Sequence, residues 1–139
     1  MLKTARIIVT EYNGIFPTKY EDILALKGIG SYTASAIASF AYHLPHAVVD
    51  GNVFRVLARI YGIDLPIDST EGKKKFTALA NELMDPLQPG VFNQAMMDFG
   101  ATICKPAAPA CTSCPFKTSC VALKENKVSA LPVKHKKIV

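Results

Sequence analysis

Apolar residues recur along most of this chain at the three- and four-residue spacing that places them on one side of a helix. Leu2, Ala5, Ile8, Val9 and Tyr12 form the first such run, and Asn13-Gly14 supplies a stop. Thr18-Lys19-Tyr20-Glu21 fits a capping box and opens a short helix through Ile23, Leu24 and Leu26. Gly28-Ile29-Gly30 interrupts it, and a third helix is predicted from about Ser31 to Tyr42, with Ile37, Ala38 and Ala41 on one face. Residues 45–49 read as extended and apolar. Asp50-Gly51-Asn52 then restarts a helix carrying Val53, Val56, Leu57 and Ile60, which Gly62 ends. A helix over about 70–84 turns Phe76, Leu79, Ala80 and Leu83 inward, and Pro86 and Pro89 break it. Phe92, Ala95, Met96 and Phe99 mark the helix that delivers Cys104. No stretch alternates as a half-buried strand does, and no repeat of solenoid period occurs, so the expected class is all-α.

The chain has 139 residues, half of them hydrophobic, which is enough for one domain with a real core. No apolar run approaches a membrane span, and no signal peptide is evident, so a soluble intracellular protein without a membrane partner is expected. The formal charge of +5 is compatible with a polyanionic partner without requiring one.

Cysteine usage narrows the chemistry. The only cysteines are Cys104, Cys111, Cys114 and Cys120, spaced C-x6-C-x2-C-x5-C. In a reducing compartment a closed set of four thiols reads as a metal site before a disulfide set. Zinc would accept these ligands, but zinc sites usually carry two short-spaced pairs, and here one pair is short. The wider outer gaps suit a bulkier object such as a [4Fe-4S] cluster, with zinc the alternative. Lys105 and Lys117 lie inside the loop and could face a phosphate backbone, though exposed lysines are usually plain solvation.

Two further groups of residues carry candidate chemistry. Gly28-Ile29-Gly30 makes a tight turn around a buried Ile29. It leaves backbone N–H groups at a helix N-terminus, where they can meet an anion or simply join two helices. Asp50 opens the next helix. It is either an ordinary N-cap or a carboxylate kept ionised by the helix N-terminus, with Asn52 placed to orient it. His43, His46 and His135 fit no metal-ligand spacing, and Met96 and Met97 read as core filling.

Taken in order, Leu26-Lys27-Gly28-Ile29-Gly30, Val49-Asp50 and the cysteine run resemble the helix–hairpin–helix DNA glycosylase superfamily that carries a [4Fe-4S] cluster. Within it, Val49-Asp50-Gly51-Asn52-Val53 and Phe92-Asn93-Gln94-Ala95-Met96-Met97-Asp98-Phe99-Gly100-Ala101 are similar to the A/G-specific adenine glycosylases, the MutY family. The endonuclease III branch carries a nucleophilic lysine where this chain has Tyr32, and Lys27 is not its equivalent. The resemblance implies excision of adenine mispaired with 8-oxoguanine or guanine in double-stranded DNA. Asp50, Asn52 and Tyr32 would be catalytic, Gly28, Ile29, Gly30, Lys105 and Lys117 would bind DNA, and Cys104, Cys111, Cys114 and Cys120 would hold the cluster. The alternatives are an endonuclease III-like glycosylase for damaged pyrimidines and a non-catalytic DNA-binding iron–sulfur module. The implied location is the bacterial cytoplasm, on the nucleoid through DNA.

The family's general acid, a glutamate well before the hairpin, has no counterpart here, since Glu11 and Glu21 stand in the wrong context. The expected fold is therefore all-α, a helix–hairpin–helix glycosylase fold incomplete at its N-terminus, with a C-terminal cluster loop at 104–120. The chain by itself should catalyse poorly. Residues 1–44 would form the end of a six-helix domain with the hairpin, 45–130 the cluster-side domain, and 131–139 a basic linker or tail. Apolar surface left uncovered by such a truncation would favour self-association.

Overall fold

The computed structural model describes residues 2–135. Its helices are α1 (Leu2–Glu11), α2 (Tyr20–Ala25), α3 (Ser31–Tyr42), α4 (Gly51–Tyr61), α5 (Thr70–Leu83), α6 (Pro89–Thr102) and α7 (Val121–Lys124), with a 3-10 turn over Cys111–Ser113. Among the described residues there is no strand, as the periodicity predicts. None of these helices is long and apolar enough to cross a membrane.

Helix α4 is the axis of the larger core. It packs against α5, α6 and α7, and its Val53, Leu57 and Ala58 join Phe76, Ala80 and Met84 in one buried cluster. A smaller cluster of Ile23, Ala34 and Ala38 ties α2 to α3 across the hairpin. Helix α3 also packs on α6, which joins the two clusters. Asp50 caps the N-terminus of α4 and Gly62, at φ 66°, closes its C-terminus. Helix α1 buries none of its residues, and Leu2, Val9 and Ile15 stand exposed, as do Leu87 and Val91.

Several local expectations need correction. The capping box at Thr18 does not form: Lys19 is the N-cap of α2, without a side-chain cap bond. Pro89 does not merely break a helix but opens α6 in its first turn, where a missing N–H costs nothing. Leu83 is exposed rather than inward, and Ala41 and Ala95 are exposed as well. The buried face of α3 is Ala34, Ser35, Ala38 and Ser39, Met84 fills the place expected of Leu83, and α6 buries Pro89, Asn93 and Gly100. Ile29 is only half-buried, packed against the hairpin cluster.

The segment after α7 folds back onto the body. Leu131 is buried, the Val133 carbonyl accepts from the Ile67 N–H at 3.0 Å, and the Asp68 carboxylate accepts from the His135 N–H. The Asp68 carboxyl is held below its ordinary range, chiefly by that backbone bond. Residues 136–139 of the expected tail lie outside the described residues.

Candidate functional site

The head of α4 fixes a carboxylate in one orientation. Asp50 Oδ1 accepts from the Val53 N–H at 2.8 Å, and Asp50 Oδ2 accepts from Asn52 Nδ2 at 3.2 Å. Asn52 Oδ1 in turn accepts from Arg55 Nη2 at 2.8 Å. Arg55 also donates to the Cys104 carbonyl at 2.7 Å and the Gly100 carbonyl at 2.6 Å. A continuous set of bonds therefore runs from the cysteine loop to the carboxylate. Burial lowers the Arg55 pKa, opposed by the charges at Cys104 and Asp50.

The approach to Asp50 is held by side-chain amides rather than by a sheet. Asn93 is fully buried, and its Oδ1 accepts from the Val48 N–H at 2.9 Å. Its Nδ2 donates to Ser39 Oγ at 2.9 Å and to the His46 carbonyl at 3.0 Å. Asn81 Oδ1 accepts from the Ala47 N–H at 2.9 Å, and the His46 ring stacks on Tyr20 at 3.9 Å between centroids. Residues 46–48 thus find in α5 and α6 the partners an extended segment would otherwise take from a neighbouring strand, with Ser39 of α3 holding Asn93. Asn93→Leu leaves the Val48 N–H and the His46 carbonyl without their partner, while Ser39 keeps its bond to the Ala36 carbonyl; at about 1–3 kcal/mol for an unsatisfied group urea unfolding should register a loss of at least that size. Ser39→Ala should lose less.

The hairpin supplies the opposite wall. Gly28, at φ 87°, makes a turn that most side chains would strain, and the Ile29 N–H donates back to the Leu26 carbonyl. Gly30 caps α3 without a side-chain bond, and a Cβ there would meet open space. Nothing at this end hinders a close approach to the first-turn N–H groups of α3. A cavity of about 280 Å³ separates the hairpin from α4 and α5; Tyr20, Ser31, Tyr32, Val49, Phe54 and Lys73 are among its lining residues. Tyr32 is half exposed there; Asp50 is not a lining residue, though its chain neighbour Val49 is. No carboxylate lines this cavity.

The four cysteines line one recess. All are free and half-buried, and they ring one recess with Ile60, Phe99, Ile103, Leu123, Val128 and Arg59. Burial pushes the Cys111 thiol up, the other three cysteines add to this, and Arg59 acts against them. Among the described residues, no three His, Cys, Asp or Glu side chains converge where one ion could be held. Four soft sulfurs around an apolar recess fit the donor chemistry of a metal–thiolate centre. Lys105 and Lys117 stand exposed on this loop.

Four interior polar residues carry roles that sequence reading did not assign: Ser39, Arg55, Arg59 and Asn93. The available signal was two arginines four apart on the apolar face of α4, where solvated charge does not belong.

Residues 11–40 match the helix-hairpin-helix motif model. Adenine DNA glycosylase from Buchnera aphidicola is 41% identical over 133 residues, covering 96% of this chain and 38% of the relative. The human adenine DNA glycosylase is 45% identical, covering 85% of this chain and 22% of the relative. The chain is a homologue of the adenine DNA glycosylases. It spans well under half the length of these relatives. In three dimensions it is similar to a thermostable thymine-DNA glycosylase, with a TM-score of 0.81 at 32% identity over 88% of this chain and 56% of that one. An endonuclease III trapped covalently on DNA gives 0.75 at 26%, covering 89% and 56%. The homologue therefore has the helix–hairpin–helix glycosylase fold.

Proposed function

We propose that this chain carries the hairpin-and-aspartate part of a base-excision enzyme that removes adenine mispaired with 8-oxoguanine or guanine in double-stranded DNA. The observation that carries the reading is Asp50, held in one orientation by the Val53 N–H and Asn52 directly after Val49, which lines a cavity together with Tyr32 of the hairpin helix. The relatives named adenine DNA glycosylase support the choice of base.

In the proposed reaction the N–H groups behind Gly28 and Gly30 grip a phosphate without reading sequence. The adenine leaves the stack, because its glycosidic bond is out of reach inside a duplex. Breaking that bond leaves a sugar with oxocarbenium character, and Asp50 stabilises or traps the developing cation. Tyr32 offers no amine, so base release is not coupled to a Schiff base at that position. Cys104, Cys111, Cys114 and Cys120 would hold a [4Fe-4S] cluster, a reading supported over zinc by their C-x6-C-x2-C-x5-C spacing around one recess. When bound, the cluster pins the loop that presents Lys105 and Lys117 to the backbone. This activity places the protein on chromosomal DNA, in a bacterium the nucleoid.

Chromatography of products from a duplex with adenine opposite 8-oxoguanine, with the chain in excess, should show free adenine. Release should be slower than in a relative with the general-acid glutamate by about 10²–10⁴-fold, the usual worth of acid–base catalysis. Pyrimidine release, or a covalent enzyme–DNA adduct trapped by borohydride, would support the endonuclease III branch. Salt-sensitive binding with no base release would leave only a DNA-binding module.

A further inference from the structure

Two guanidinium groups are buried in this protein with no carboxylate bonded to either; Asp50 reaches Arg55 through Asn52 and through its charge. Arg59 is 3% exposed and Arg55 8%. Among the described residues the ion pairs are Lys127–Glu125 and His135–Asp68, both at the surface. Arg59 donates to the carbonyls of Leu131 at 3.1 Å, Lys105 at 2.7 Å and Pro106 at 3.1 Å. Its remaining contact is Cys104 Sγ, 3.6 Å from Nη1, and its own carbonyl lies 3.4 Å from Cys120 Sγ. Neutral carbonyls satisfy the donors but do not cancel the charge, and an unbalanced buried charge costs several kcal/mol, by order of magnitude.

We propose that Arg59, backed by Arg55, is the built-in counter-ion of the metal–thiolate centre and the hydrogen-bond donor that sets how tightly and at what potential the centre is held. This rests on the metal-site reading given above. A cubane core of charge about +2 with four thiolates carries about −2, and one zinc ion with four thiolates carries the same. Two adjacent arginines supply the matching opposite charge. Arg59 also grips the arm 104–106, the Leu131 carbonyl and the neighbourhood of Cys120, so the same side chain shapes both ends of the ligand loop. Lys117 lines the same recess but is exposed, so solvent screens it.

The test compares purified, metal-loaded wild type with Arg59→Gln, Arg59→Lys and Lys117→Gln. Three quantities are measured: iron and sulfide content, the rate of metal loss to a chelator, and the midpoint potential by protein-film voltammetry. Arg59→Gln should lose metal about 10–100-fold faster, the usual cost of removing an outer-sphere partner. Its potential should move to more negative values, because a lost positive charge disfavours the more reduced state. Arg59→Lys keeps the charge and should keep the potential, yet lose metal faster because an ammonium cannot reach all four acceptors. Lys117→Gln should resemble wild type. If Arg59→Gln does not fold, Arg59→Lys decides: faster metal loss at wild-type potential supports the counter-ion, and wild-type loss overturns it. Equal behaviour of Gln and Lys variants in both quantities means a purely structural arginine. Zinc without iron or sulfide overturns the cluster assignment alone, and chelator release then tests Arg59 on zinc. A wild-type chain that binds neither metal overturns both.

Discussion

Asp50→Asn should abolish adenine release while leaving the protein folded. Asparagine is as good an N-cap as aspartate, and its Oδ1 can still accept from the Val53 N–H, so α4 keeps its first turn. What disappears is the negative charge that, in the proposed reaction, would face the developing sugar cation. Removing one preorganised electrostatic group of this kind costs about 10²–10³ in rate, and loss of a covalent role would add to that. Single-turnover release measured beside circular dichroism and DNA affinity checks the claim. An unfolded variant would instead mean that the fold needs the charge of Asp50 and not only its cap, and an unchanged rate would remove it from the chemistry.

Gly100→Ala should damage the same step from behind. A Cβ on Gly100 would lie 2.7 Å from the Asn52 Cβ and 3.1 Å from the Asn52 carbonyl. Neither can yield as the tip of a flexible side chain could, because both belong to the first turn of α4. The Gly100 carbonyl also accepts from Arg55, the residue that orients Asn52. Seating the methyl group must part α6 from the head of α4 and carry Asn52 and Asp50 with it. Overpacking costs about 1–3 kcal/mol of stability, and a displacement near 1 Å costs about 10² in rate. Urea melts and single-turnover release should therefore both fall, the rate by the larger factor. Gly30→Ala makes the contrast: its Cβ meets open space, so stability should hold and any loss should appear in DNA affinity.

Helix order was legible because it rests on local signals. Asp50 and Gly62 bracket α4 in the sequence as they do in the fold, and α3 follows Gly30 over the expected residues, with His43, at φ 54°, as the C-cap that only the structure shows. The misplaced details were those that neighbours decide. Leu83 has the period of a core residue, but the turn toward Pro86 leaves it exposed and buries Met84 instead. Thr18 and Glu21 have the right spacing for a capping box, but the chain enters α2 at Lys19 and the bonds are not made. Asn93 and Ser39 read as ordinary polar residues, because nothing in a linear pattern shows that α3 and α6 meet a stretch of backbone with no strand beside it.

The sequence alone determined which groups of atoms exist: four thiols in one loop, a glycine turn ahead of a helix, a capping carboxylate, and a tyrosine where a lysine would bring different chemistry. Those depend on residue identity and short-range geometry, which the chain carries locally. The tertiary structure decided what each is tied to. It buried Arg55 and Arg59 without a carboxylate bonded to either, joined Cys104 to Asp50 through Asn52, and placed Gly100 against the turn that aims the carboxylate. Such relations depend on which helix faces contact across 45 or more positions, where burial and unmet hydrogen bonds, not periodicity, set the energy.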